Sequence, residues 1–212
     1  DLCLFAEALS SSGAVEISRG GKKKRKKATP EIDESTCLSL VPLLASVSSI
    51  LRADAQDGGR WIREQGRHKS LLDPTSKLLQ SHIPESLAVS NDPITCSRYE
   101  YVVENNVRGS VVGCLTSLAL AAGEERLWKP LNHAVLEACG NANRAEVRQA
   151  GVVCLLSLVR SLGEEYMVLI PECLPVLAEL LEDENEAVGG LARDAIANVE
   201  ELLGQSLESN LK

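Results

Sequence analysis

Aromatic residues are scarce in this sequence, at 3% of 212 positions: one Phe, two Trp and three Tyr. Sandwich cores and base-stacking platforms lean on such rings, so their scarcity tells against both. The seven cysteines, at 3, 37, 96, 114, 139, 154 and 173, form no CxxC pair and no Cys/His cluster, which argues against a structural zinc. No apolar run is long enough to span a membrane, and no secretory signal or glycosylation sequon occurs. Phosphate-loop and dinucleotide fingerprints are missing, and His68, His82 and His133 sit in no metal-binding or catalytic pattern. The sequence therefore names no catalytic, cofactor-binding or metal-ligating residue, and it reads as a binding or structural chain. Positive charge is also short. A net charge of -8 makes the surface as a whole repel phosphate backbones, so any RNA contact has to be local.

What is present is a repeat. VRGSVVGCLTSLALAAGEE, Val107 to Glu125, aligns with VRQAGVVCLLSLVRSLGEE, Val147 to Glu165, at an offset of 40, with ten of nineteen positions identical. A third copy follows at an offset of 41, matching Val147 with Val188, Leu158 with Val199, Gly163 with Gly204 and Pro130 with Pro171. This is the period of a two-helix solenoid unit, and the one-residue drift fits units that touch only their neighbours. The fold expected is all-α: a HEAT-like α-solenoid of stacked antiparallel helix pairs. Cys114 and Cys154 share one apolar repeat position, so they read as reduced core residues, a usage that suits cytosol or nucleus.

Three regions are expected. Residues 1–34 are expected to hold a short helix or the end of an upstream one, with Leu2, Phe5, Ala6 and Leu9 on one face, and a basic disordered linker containing GGKKKRKK. The chain opens at Asp1 inside that apolar periodic stretch, so it is expected to be a piece of a longer protein. Lys22, Lys23, Lys24, Arg25, Lys26 and Lys27 cannot pack together and must stay solvated; they read either as a nuclear or nucleolar targeting signal or RNA contact, or as a plain solvated loop.

Residues 35–97 read as helical but less regular. A helix starts at Ser35 or Thr36 with Pro42 in its first two turns, and a second is capped at Asp73 with Pro74 at its first turn. WIREQGRHKS reads as a helical turn or a surface loop, and IPESLAVSNDPITCS as a loop.

Residues 98–212 carry the repeats. Expected helices are Tyr99 to Ala122, one from near Glu124 with Leu127, Leu131, Ala134, Val135 and Ala138 inward, and Arg144 to Leu162 ended by a left-handed Gly163. Pro171 and Pro175 should then bend or shorten the next helix. Asp183 or Asn185 should cap the last one, which points Val188, Leu191, Ala195, Val199 and Leu202 inward and closes at Gly204. Arg108 and Arg148, recurring with the period, are expected to reach acidic residues in a preceding turn or repeat, with phosphate contact as the functional alternative. Glu182, Asp183, Glu184 and Glu186 form an acidic turn facing solvent or a basic partner. His133 is expected to be a polar neighbour on a half-buried helix face.

The runs ERLWKPLNHAVLEAC, AEVRQAG, LGEEYMVLIPECLPVLAELLEDENEAV and IANVEELLGQSLESNL, spanning Glu124 to Lys212, carry more than periodicity. Trp128, the paired Pro171 and Pro175, and the LAELLED string resemble the C-terminal end of the large HEAT-repeat, snoRNA-associated scaffold of the small-subunit processome. The last unit departs from the family-like pattern, since Val188-Gly189-Gly190 stands where Val-Arg is expected. The resemblance implies a nucleolar, nuclear scaffold rather than an enzyme. It would contact other processome subunits, and the pre-rRNA and snoRNA particle, in support of ribosomal RNA transcription and processing. It implies no cofactor, membrane or small-molecule substrate. A HEAT-repeat adaptor in nuclear transport, or in a phosphatase or signalling assembly, is the alternative from another class.

Overall fold

In a computed structural model, residues 34–64, 66–81 and 107–204 are described. The expected helix at Leu2 to Leu9, the basic run, the 83–97 loop and the Tyr99 to Asn106 start of the next helix lie outside them. The described residues hold α1 (Glu34–Gln56), α2 (Arg67–Gln80), α3 (Val107–Ala122), α4 (Glu125–Cys139), α5 (Ala145–Leu162), a 3-10 segment (Gly163–Leu169), α6 (Ile170–Leu180) and α7 (Glu186–Leu203). They contain no strand.

The helices form two layers. One is the series α1, α3, α5, α7, each packed on the next; the other is α2, α4 and the 3-10 segment with α6. Cross-layer contacts pair α2 with α3, α4 with α5, and α6 with α7. Within the first layer the helices run parallel. Gln149 and Arg160 of α5 reach Asn185 and Asn198 at the head and body of α7, at similar offsets along both helices. The fold is thus the expected HEAT-like solenoid, with one core running along the seam between layers. Leu118, Leu131, Leu155, Leu158, Tyr166 and Leu177 are each at most 1% exposed within it.

Several helix boundaries differ from expectation, most by only a residue or two. α1 begins at Glu34 and holds Pro42 in its interior, past the first two turns. α2 begins at Arg67 behind Gly66, so Pro74 lies mid-helix and Asp73 is no cap. Leu71, Leu72, Pro74, Thr75, Leu78 and Leu79 are all buried, and that apolar face holds the helix through its proline. α5 starts one residue late, with Arg144 as its flanking residue. Gly163 does take a positive φ of 56°, but with ψ -132° it is not in the left-handed helical region. Residues 163–169 wind as 3-10, and α6 is cut to 11 residues with Pro171 in its first turn and Pro175 inside, as the prolines predict. On α4 Leu131, Val135 and Ala138 point inward as expected, while the rest of the stripe differs. Trp128 and Asn132 are buried while Leu127 and Ala134 are only half-buried, because the Trp128 indole donates to the Ala119 carbonyl at 2.8 Å and anchors α4 to the end of α3. In α7, Val188, Leu191, Ala195 and Val199 point inward as expected, while Leu202 is half-buried.

Two helical glycines make opposite demands. At Gly151 a Cβ would lie 2.7 Å from the Cys139 backbone nitrogen and 3.0 Å from the Ala138 carbonyl carbon, so α4 and α5 approach backbone to backbone there. At Gly190 nothing lies within 4 Å. Gly151→Ala should therefore destabilise by about 1–3 kcal/mol through forced separation of the helices. Gly190→Ala should stabilise by about 0.5–1 kcal/mol by removing unfolded-state freedom. Urea midpoints of the two variants would check this, and a shift of the same sign in both would contradict it.

Candidate interaction site: the inter-unit seam and its acidic turn

Arg148 sits in the first turn of α5, where helical geometry swings its side chain toward the turn that precedes α7. Its Nε and Nη2 donate to the two carboxylate oxygens of Asp183 at 2.6 and 2.8 Å, and Nη1 donates to the Asn141 carbonyl at 3.0 Å. The two side chains are 8% and 7% exposed. The Arg148 hydrogen bonds hold the Asp183 carboxyl below its ordinary 3.8, with a further bond from the Asn185 amide helping, and Asp183 in turn raises Arg148. This two-pronged pair lies between successive units. The structure thus gives the arginine the structural role expected, but reverses its direction: the acidic partner is in the following unit, because the first-layer helices are parallel and the Arg side chain faces forward. Of the acidic turn, Asp183 is spent on this pair, while Glu182, Glu184 and Glu186 are exposed.

Arg108 repeats the geometry incompletely. Its Nη1 donates to the Glu146 carbonyl at 3.1 Å, again one unit forward, but among the described residues its buried Nη2 has no hydrogen-bond partner. Burial pulls this guanidinium down from its ordinary value, with Glu146 partly opposing. The ladder stops at Gly189, which stands in the arginine position. There Asn185 takes over. Its side chain accepts from the Ala187 and Val188 amides and from Gln149, so it caps α7 across the two glycines and ties it to α5.

A second seam was not foreseen. Asn132 of α4 is fully buried; its Oδ1 accepts from the Tyr166 hydroxyl at 2.6 Å and its Nδ2 donates to Glu172 at 3.2 Å. Cys173 lies 3.6 Å from the same Oδ1. The available signal was a polar residue inside an apolar stripe, one repeat length before Cys173. A third seam joins the α1–α2 connection to α3. Arg63 donates to the Ala122 carbonyl at 2.7 Å and approaches Glu124 at 3.4 Å. Gly59, at φ 68°, lets the chain come so close to Ala121 that a Cβ would lie 1.9 Å from its carbonyl oxygen. WIREQGRHKS is thus partly a packed turn, with Arg67 stacked 5.0 Å over Trp61.

The other candidate groups read as structure. His133 is exposed rather than half-buried and lies 3.8 Å from Glu137. His68 is buried, and desolvation lowers its pKa while Asp73 partly opposes. Cys114, Cys139, Cys154 and Cys173 are buried and unbridged. Burial pushes the Cys114 and Cys173 thiols up to about 11 and Cys154 to about 12, so they stay protonated and unreactive at neutral pH. Among the described residues no group of His, Cys, Asp or Glu could hold a metal ion, and no helix is long and apolar enough to cross a membrane. The six cations of the basic run lie outside the described residues.

Charge is divided unevenly along the array. Between Gly163 and Gly204 stand eleven acidic residues and one cation, Arg193, a net -10 that exceeds the -8 of the whole chain. The rest of the molecule is close to neutral, and the acidic character belongs to the last unit.

No family model matches the chain. Over 201 residues, 93% of its length, it is 32% identical to an uncharacterized protein of Arabidopsis thaliana, of which the match covers 9%. Over 106 residues, half of the chain, it is 36% identical to HEAT repeat-containing protein 1 of Homo sapiens, covering 5% of that protein. Over 102 residues, 48% of the chain, it is 39% identical to the U3 small nucleolar RNA-associated protein 10 of Chaetomium globosum, covering 6% of it. The chain spans less than a tenth of the length of these relatives. Joined to the solenoid geometry, these matches bear out the family resemblance of the sequence: over about half its length the chain is homologous to HEAT repeat-containing protein 1 and U3 small nucleolar RNA-associated protein 10.

Proposed function

We propose that this chain is part of a scaffold subunit of the nucleolar small-subunit processome, and that it works through protein contacts and carries out no catalysis. The observation that carries this reading is the 35–39% identity to proteins named as U3 small nucleolar RNA-associated. The rigid stack of helix pairs supports it, since such arrays present long surfaces to partners. Nuclear and nucleolar residence, and support of pre-rRNA transcription and small-subunit rRNA processing, belong to the same proposal. The acidic last unit is unsuited to phosphate contact, so it faces protein, and direct pre-rRNA or snoRNA contact falls to Lys22–Lys27.

The test is copurification with the tagged full-length protein. U3 snoRNA and small-subunit pre-rRNA should be enriched. Their absence, with a phosphatase subunit or GTPase-sensitive cargo recovered instead, would favour the adaptor class. Replacing Lys22–Lys27 with alanine should reduce nucleolar signal or RNA crosslinking. If the run binds RNA, losing six cations should flatten the dependence of log affinity on log salt by up to about 4.

A further inference from the structure

The second layer turns one side away from the first, and because units stack along the layers, units before or after do not cover that side. On α6 it lies opposite Cys173, Leu177 and Leu180, which are buried. Pro171 and Pro175 stand exposed on it, and the 3-10 segment adds Met167 and Val168, 38% and 47% exposed. The charge around them has one sign. From Gly163 to Glu182 there are five carboxylates and no cation. Glu164, Glu165, Glu172, Glu179 and Glu182 are all exposed, and among the described residues none of them is in an ion pair. The same side of α4, opposite the buried Leu131 and Val135, is built for water instead: Glu125 pairs with Lys129 at 2.7 Å, and His133 lies 3.8 Å from Glu137.

We infer that this side of the 3-10 segment and α6 docks a basic amphipathic segment of a partner protein. Its apolar side chains lie on Val168 and the two prolines, and its lysines or arginines reach the surrounding carboxylates. The inference rests on the proposal above that the acidic unit faces protein, and it specifies the chemistry of that protein. A phosphate backbone is repelled by these carboxylates, and so is a second copy of the same acidic unit. Lys22–Lys27 matches the charge, but six cations in a row bring no apolar group to Val168. Only a segment that is basic and apolar by turns answers both features of the surface.

The experiment titrates the full 212-residue chain into a fluorescein-labelled peptide of leucine and lysine, its leucines on one helical face, and reads the anisotropy. A peptide of the same composition in scrambled order should bind at least about tenfold more weakly. Val168→Asp, and separately Glu165→Lys with Glu179→Lys, should each weaken binding of the patterned peptide by about tenfold. Asp194→Lys with Glu201→Lys on α7, the same change in net charge, should alter it by less than about twofold. All these side chains are exposed, so far-UV circular dichroism should not change. Equal losses from the two pairs of charge reversals would mean attraction to net charge alone and would overturn the assignment, as would displacement of the peptide by a uridine oligomer. A tenfold gain in affinity on replacing Lys22–Lys27 with alanine would make the chain's own basic run the occupant, and would overturn it too. No processome component enters the titration, so its failure and a failed copurification are separate results.

Discussion

Arg148→Ala is expected to destabilise the chain by about 3 kcal/mol, the largest loss for a side chain not itself apolar. The substitution leaves the Asp183 carboxylate 7% exposed without its two-pronged donor, and it also frees the Asn141 carbonyl. Glu184, 3.7 Å from the guanidinium but 88% exposed, adds little and cannot replace Asp183. For a domain of this size the loss corresponds to a drop of roughly 6–12 °C in melting temperature. Asp183→Ala should cost a similar amount, and the double variant should cost less than the two singles added, because the second change no longer strands a buried charge. Full additivity in a double-mutant cycle would show that the pair does not act as a unit. The pair also has a pH signature. The Asp183 carboxyl is held below its ordinary 3.8 in the folded chain, so its contribution is complete above that value and is lost as pH falls through the lowered one. Stability measured downward from pH 5 should fall less steeply in Asp183→Asn than in the parent.

That pair also marks how far the sequence could be read. Arg148 was visible as a residue recurring with the period, and a structural role followed from that recurrence. Its direction did not, because periodicity is blind to whether successive helices of a layer run parallel. Helix ends carrying their own chemistry were legible: Asn185 caps α7 and Gly204, at φ 65°, closes it. Ends decided by tertiary burial were not. Pro42 and Pro74 read as early-turn residues but lie inside α1 and α2, where an apolar face continues on both sides of the ring. On α4 Leu131, Val135 and Ala138 are legible as inward residues, but Leu127 and Ala134 look more apolar than Trp128 and Asn132 and so displace them in the expected stripe. Only the hydrogen bonds to Ala119 and Tyr166, from other elements, make the latter pair the inward one. Of the candidate functional residues, the basic run is conspicuous in the sequence because like charges cannot pack together.

Asn132→Leu should cost about 2–3 kcal/mol even though it replaces a polar residue in a core with an apolar one of similar size. The Tyr166 hydroxyl is buried, and burial raises its pKa so far that it stays protonated and must donate; without Asn132 its one neighbour is the weak acceptor Cys173, 3.7 Å away. Tyr166→Phe alone should cost less, about 1 kcal/mol, since the Asn132 amide keeps its bond to Glu172 and a thiol contact. Combining the two removes donor and acceptor together, and the double variant should recover most of the Asn132→Leu loss, because matched apolar groups leave nothing unsatisfied. If the double variant is instead as unstable as the sum of the singles, the network is not cooperative and the damage is one of shape. Recovery of stability would separate two contributions at this seam. Apolar packing would then suffice to hold α4 against the 3-10 segment, and the hydrogen bonds would serve to fix how the two units align. For a scaffold that alignment matters more than stability, because a small rotation at one seam is carried along every unit stacked beyond it.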